Sequence, residues 1–359
     1  MDLTGSNLEK NPTIDNYEYL DSIHILRGIA AFLVVCEHII GRPPYAIFNQ
    51  YFSWLNNLGI YGVIAFFVIS GFILPYSLSE NYKLKGYRKF LFRRLVRIEP
   101  VYFASIIFSC LLFATLTRLA PNGNPSFVTF KTLLYHFLYL IPFTHEQWIL
   151  GAYWTLAVEF QFYIIIGLFY PWFRYLGSKK SIYVSLIPIV LSLFVFIYPF
   201  CQPLQVIKYI PYFALGIFCA MQYRQHLSNL TIITVLTILS NIVVLSGTNL
   251  YQWLVGIATF FTVLVWHPNS LSKNIIGRIF LFFGTISYSW YATHQALASA
   301  GESFARFILK LDFLPLQILL VNLVPILTFL SSIIVAYGFY VFLEYPAQKL
   351  ARKIKYKSI

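Results

Sequence analysis

The sequence predicts an all-α, polytopic membrane protein with about ten transmembrane helices and both termini in the cytoplasm. Three observations carry that prediction. Of the 359 residues, 58% are hydrophobic and 11% are charged, whereas an average soluble domain is about a quarter charged. Ten apolar runs approach the length of about 20 residues that spans a hydrocarbon core as a helix. The basic residues gather at the ends of those runs in the alternating pattern of a topology signal. An ordinary soluble enzyme is excluded by composition, and so is a disordered or fibrous chain, which needs low hydrophobicity or a repeat.

Residues 1–22 are polar and mostly acidic and form a cytoplasmic extension. No small-residue cleavage site follows the first apolar run, so no cleavable signal peptide is expected. The ten runs fall at 23–40, 59–78, 98–118, 153–173, 181–200, 206–222, 230–246, 251–266, 279–298 and 316–343. An eleventh candidate, 131–142, would rise only about 18 Å as a helix, too little for a core of about 30 Å. Charge decides its placement. With that segment not crossing, 20 of the 26 basic residues lie inside, and Arg42, Arg118, Lys131, Lys208, Arg306 and Lys310 lie outside. Were it to cross, every later basic loop and the tail would move outside, against the positive-inside rule. Segment 119–152 is therefore an outer loop with a short re-entrant or surface-lying helix. Re-entrant backbone is tolerated only inside protein or along a wet cavity, so this loop is expected to cover a site. Residues 23–344 make one membrane domain, without internal repeat or separate soluble domain, and 345–359 a basic cytoplasmic tail.

The net charge of +13 is explained by this topology and does not call for nucleic acid. Cys36, Cys110, Cys201 and Cys219 are scattered through apolar stretches without CxxC or Cys/His spacing. They read as small buried hydrophobes, and no metal site is expected.

A charge inside the hydrocarbon region is costly and marks function by default. In the first helix Arg27 and His38 are eleven residues apart, three turns plus about 20°, so they share a face about 16 Å long. A cation near the inner end and an imidazole near the outer end suit a pore or cleft; a snorkelling arginine with an interfacial histidine is the structural alternative. Glu37 points about 100° away from His38 and reads as an interface residue. Arg94 and Arg97, three apart at the start of the third helix, can present two guanidinium forks to a phosphate or carboxylate. Glu99 is a competing partner for one of them. Arg93 and Arg88 add to the field. Glu159 lies about two turns into the fourth helix, where an acid must face protein or water. It would orient an imidazole, act as a base, or serve a purely structural hydrogen bond. His294, among aromatics in the ninth helix, falls at a depth like that of His38. Two levels result: Arg27, Arg94 and Arg97 toward the cytoplasm, and His38, Glu159 and His294 toward the outer face. That arrangement suits an anionic donor held from inside and a proton transfer near the outside, where a histidine is a suitable base for a hydroxyl. There is no P-loop, HExxH, GxSxG or GxGxxG.

Six segments resemble the motifs of acyltransferase family 3, the membrane O-acyltransferases of bacterial surface glycans and some small molecules. They are Leu26-Arg27-Gly28 with His38; Phe66 to Phe72 around Ser70-Gly71; Arg94-Leu95-Val96-Arg97 with Pro100 and Tyr102; Trp154-Thr155-Leu156 with Glu159 and Phe162-Tyr163; Ser287-Tyr288 through His294; and Glu344-Tyr345-Pro346. They occur in the family's order from about residue 20 to 349, in what looks like its stand-alone exopolysaccharide form. His24 departs from the pattern, where the family often has glycine or another small or polar residue, and is treated as structural. The resemblance implies His38 as the catalytic base or transient acyl carrier, with Glu159 and His294 shaping the pore or acceptor site. It implies Arg27, Arg94 and Arg97 as binders of the donor, acetyl-CoA or another acyl-CoA. Ser70, Gly71 and Trp154 would be structural residues near the site, Gly71 allowing close helix packing. The implied partners are the lipid bilayer, acyl-CoA and a glycan or lipid-linked oligosaccharide, in the bacterial inner membrane. A small-molecule O-acyltransferase, a transporter or flippase of glycan precursors, and a non-catalytic scaffold are the alternatives. A transporter would often show two related halves with broken helices, and no such symmetry is visible.

Overall fold

The structure, a computed structural model, describes residues 21–41, 53–78, 82–119, 128–179, 181–225, 228–265 and 274–354. Residues 1–20 of the acidic extension and 355–359 of the tail lie outside the described residues. Among the described residues all regular structure is helical. The helices are α1 (Asp21–Ile39), α2 (Leu58–Ser77), α3 (Tyr87–Leu119), α4 (Phe130–Phe137), α5 (Tyr153–Lys179), α6 (Ser181–Leu193), α7 (Val206–Gln225), α8 (Asn229–Leu245), α9 (Leu250–Val265), α10 (Ile275–Ile308), α11 (Leu314–Phe339) and α12 (Tyr345–Lys353). Ser22–Ile39, Trp54–Ser77, Leu84–Leu116, Tyr153–Trp172 and Leu314–Lys353 are long and apolar enough to cross a membrane. Leu186–Phe200, Val206–Gln222, Asn229–Leu245 and Leu250–Val265 are shorter apolar helices, and α10, 34 residues long, carries the ninth predicted run. The chain is a multi-pass membrane protein.

Lipid tails are as apolar as leucine, so helices in a bilayer associate through close packing at small residues. The central helices here are built that way. Gly28 of α1 abuts the Phe280 carbonyl of α10, and Gly284 of α10 abuts the His24 carbonyl of α1. The same reciprocity joins α2 to α7, where Gly71 meets the Phe213 carbonyl and Gly216 meets the Val68 carbonyl. Gly62 of α2 sits on the Ala30 carbonyl of α1. Backbones that touch fix the rotation of each helix, and with it the direction of Arg27, His38, Ser70 and His294.

Three boundaries differ from the hydropathy reading. α3 begins at Tyr87, so Arg94 and Arg97 lie two to three turns inside a helix and not at its start. Charge hid the helix from hydropathy without weakening it, because arginine and lysine are good helix formers. α10 continues to Ile308 on the Glu302–Arg306 ion pair. The last helix does not end near residue 343: a π-helical turn, Tyr340–Glu344, joins α11 directly to α12.

In segment 128–152 the short helix stays at the surface and the turn after it enters the protein. Thr129 caps α4 by accepting from the Thr132 N–H at 3.1 Å. Phe130, Leu134 and Leu138 are exposed while Thr132 and His136 are buried. Tyr139, with φ of 55°, turns the chain inward, and its ring stacks on Tyr102 (5.1 Å) and Phe160 (4.4 Å). Its hydroxyl donates to Glu99 Oε1 at 3.0 Å. Glu99 therefore serves the turn and does not take up the competing pairing with Arg94 or Arg97.

Candidate active site

Arg27 comes from α1, Arg94 and Arg97 from α3, and Glu344 from the π-helical turn. With Ile73 these four line both of two adjoining cavities. One is a basin of about 420 Å³ that adds His24, Arg93, Gln348 and Arg352. The other is a deeper cavity of about 100 Å³ that adds Ser70, Glu159, Tyr163 and Tyr288. The five shared side chains form a neck between them.

Arg94 donates from Nη2 to Ser77 Oγ at 2.8 Å and lies over the rings of Phe90 and Tyr163, which hold its guanidinium plane. Among the described residues neither Arg27 nor Arg97 makes a hydrogen bond or an ion pair. Each guanidinium keeps five N–H donors and lines both cavities. Glu344 is 3% exposed. Its Oε2 accepts from the Ser289 hydroxyl (2.6 Å) and N–H (3.2 Å), and its Oε1 from Gln348 (3.0 Å). A buried carboxylate without its own ion pair needs such donors. Here they also tie the π-helical turn to α10, five residues before His294. Glu159 Oε1 accepts from Tyr163 (2.6 Å) and Ser70 (3.0 Å).

His38 and His294 stand beyond the deeper cavity as a pair, with ring centroids 5.0 Å apart at 81°. His38 Nδ1 lies 2.8 Å from the Val34 carbonyl, and His294 Nδ1 lies 2.7 Å from the Tyr291 carbonyl. A carbonyl only accepts, so each Nδ1 carries the proton and, in the neutral ring, each Nε2 carries the lone pair. Tyr291 separates them from the cavity. Its ring lies 5.8 Å from Phe66 and 5.5 Å from His294, and Thr155 Oγ1 donates to its hydroxyl at 2.7 Å. Phe66 and Tyr291 line the cavity and the histidines do not.

The expected residues thus form two groups. Arg27, Arg94, Arg97 and Glu159 share one cavity, and His38 meets His294. Glu159, expected at the histidine level, stands with the arginines. Ser70 holds Glu159, Gly71 packs on Phe213, and Trp154 packs its ring near Tyr209 (5.2 Å) and Phe67 (6.3 Å). Glu37 Oε2 accepts from the Gly59 N–H, a helix–helix tie. Tyr163, Tyr291 and Glu344 were missed as site residues. Tyr163 lies four residues after Glu159, a signal that spacing alone offers. Glu344 is an acid closing a long apolar run, which singles it out. Tyr291 has no such signal among so many aromatics.

An acyltransferase domain family matches residues 20–343. A curated relative, the acyltransferase MdmB of Streptomyces mycarofaciens, is 25% identical over 168 residues, covering 45% of this chain and 42% of that protein. The match spans less than half of that relative's length. No solved structure matches the chain.

Proposed function

The chain belongs to acyltransferase family 3, and on that premise we propose that it is an O-acetyltransferase of a surface or exported glycan. It takes acetyl-CoA from the cytoplasm and crosses the bacterial inner membrane ten times with both termini inside. The donor's phosphates lie in the basin on Arg27, Arg94 and Arg97. Its uncharged pantetheine arm passes the neck toward the histidines. The acceptor, a glycan or lipid-linked oligosaccharide, arrives from the outer side beside segment 128–152.

Reaction then needs a hydroxyl oxygen to attack the thioester carbonyl while its proton leaves. His38 Nε2 accepts that proton. The new C–O bond forms, the C–S bond breaks, and the proton passes to the departing thiolate. Capture of the acetyl group by His38 before its transfer is the two-step form of the same chemistry. Glu159 and Tyr163 line the path of the arm, and Tyr291 must turn aside for the thioester to reach His38.

The observation that carries this reading is the neck. Guanidinium groups with unspent donors are the fit for a polyphosphate, and they line a basin that continues toward a histidine pair with fixed tautomers. The test is the acyl content of the host's surface polysaccharide by NMR, in a deletion strain complemented with wild type or His38→Ala. Loss of O-acetyl signals in the deletion, restored by wild type alone, supports the reading. An unchanged polysaccharide in the deletion strain overturns the glycan as acceptor.

A further inference from the structure

Segment 128–149 carries a concavity outside the acyl-transfer route. α4 and the stretch 144–149 bound a groove of about 550 Å³, with Lys131 and Tyr135 on one wall and His145, Glu146, Gln147 and Trp148 on the other. The exposed stripe of Phe130, Leu134 and Leu138 occupies an adjacent face of α4, and such an amphipathic helix lies at a bilayer surface. On that placement the groove would open where membrane meets water.

Its fixed charges cancel. Lys131 Nζ lies 3.1 Å from Glu146 Oε1, and Thr132 Oγ1 donates to Glu146 Oε2 at 3.0 Å. The groove thus favours neither an anion nor a cation, yet the carboxylate keeps unused lone pairs. Trp148 is half-buried, its ring set at 86° to His136 with centroids 5.5 Å apart. His136 is itself fixed on both sides: Nδ1 meets the Thr132 carbonyl at 2.8 Å, and Nε2 accepts from the Ile149 N–H at 3.1 Å. The indole is a firm platform rimmed by a carboxylate, an amide and an imidazole. That combination matches a pyranose ring, whose C–H face packs on an aromatic and whose hydroxyls both donate and accept.

The wall bearing Trp148 runs toward the histidine pair. Four residues on, the Ala152 N–H donates to Gln295 Oε1 at 2.5 Å, and Gln295 follows His294 on α10. Four extended residues span at most about 14 Å.

We infer that this groove is an acceptor subsite, which holds one sugar ring of an oligosaccharide on Trp148 while another ring of the same chain presents its hydroxyl to His38. The inference rests on the glycan reading above and adds where the acceptor is gripped.

The test uses purified full-length protein with acetyl-CoA. The acceptors are short oligosaccharides cut from the host's alkali-deacylated surface polysaccharide, and its constituent monosaccharides. Trp148→Ala is expected to raise KM for the oligosaccharides about tenfold, the value of one aromatic contact. Its kcat, and its kcat/KM for monosaccharides, should stay within about twofold of wild type. Trp148→Phe should recover most of the loss, and Glu146→Gln should raise the same KM. Equal losses for both acceptor sizes would show a structural role, and an unchanged oligosaccharide KM in both Trp148→Ala and Glu146→Gln would show no grip; either result overturns the subsite while the glycan reading stands. A wild-type protein that acylates neither acceptor overturns both.

Discussion

His38 of α1 and His294 of α10 face each other with ring centroids 5.0 Å apart, and each gives its Nδ1 proton to a carbonyl of its own helix. Two imidazoles of the same tautomer standing ring to ring suit the proton transfer proposed above. The touching backbones at Gly28 and Gly284 hold the two helices, and so the two rings, in register.

His38→Ala should lower acetyl transfer by about 10²- to 10⁴-fold, the range of general acid–base catalysis. Acetyl-CoA affinity should change by no more than about twofold, since the ring lies beyond the cavity proposed for the donor's arm. Isothermal titration beside a transfer assay separates the two effects. Equal losses in binding and transfer would contradict the role.

Arg97→Ala should raise KM for acetyl-CoA about tenfold to a hundredfold, the loss of a hydrogen bond to a charged group. Acetyl-pantetheine, which lacks the nucleotide phosphates, should be used by the variant as well as by wild type. Steady-state kinetics with the two donors reads this directly, and Arg97→Lys should recover only part of the loss, because a point charge replaces a planar fork.

Acid should loosen segment 128–152 in two steps. Burial holds His136 below its ordinary 6.5, so the neutral ring is favoured in the fold. Its contribution to stability is present above 6.5 and declines as the pH falls from there toward its lowered value. The hydrogen bond from Lys131 holds Glu146 below its ordinary 4.5, so its contribution is present above 4.5 and is lost as the pH falls through its lowered value. Hydrogen exchange of this segment as a function of pH checks both steps, and His136→Asn should remove the upper one.

Gly284→Leu should destabilise the protein by about 3 kcal/mol or more, the upper range of overpacking, because the added carbon meets the His24 backbone. Gly338→Ala meets nothing within 4 Å and should be neutral or stabilising by up to about 1 kcal/mol. Thermal unfolding in detergent micelles compares them.

Much of this molecule was legible in the sequence because polar residues are rare in an apolar chain. Arg27, Arg94, Arg97, Glu159, His38 and His294 each stand out against hydrocarbon, while their division into a cavity group and a histidine pair comes from the fold. The helical span of α3 and α10 was not legible from hydropathy, which measures transfer to lipid and not helix formation. The level of Glu159 depended on Ser70 and Tyr163, contacts between and within helices that one-dimensional depth does not contain. Glu344 reaches the neck through the π-helical turn, a backbone feature without a composition signal. Trp148 and Glu146 sit in a polar stretch where such residues are ordinary, and only the fold brings them against α4.

In the proposed reaction, donor held at the arginine neck gives its acetyl group to a hydroxyl through His38. Purified protein in lipid vesicles, given acetyl-CoA labelled in its acetyl group and the deacylated host polysaccharide, tests it in one assay. Label should appear on the polysaccharide with wild type. It should be absent with His38→Ala, and with Arg97→Ala it should be restored by raising acetyl-CoA. Label transferred equally well by His38→Ala would contradict transfer through this histidine.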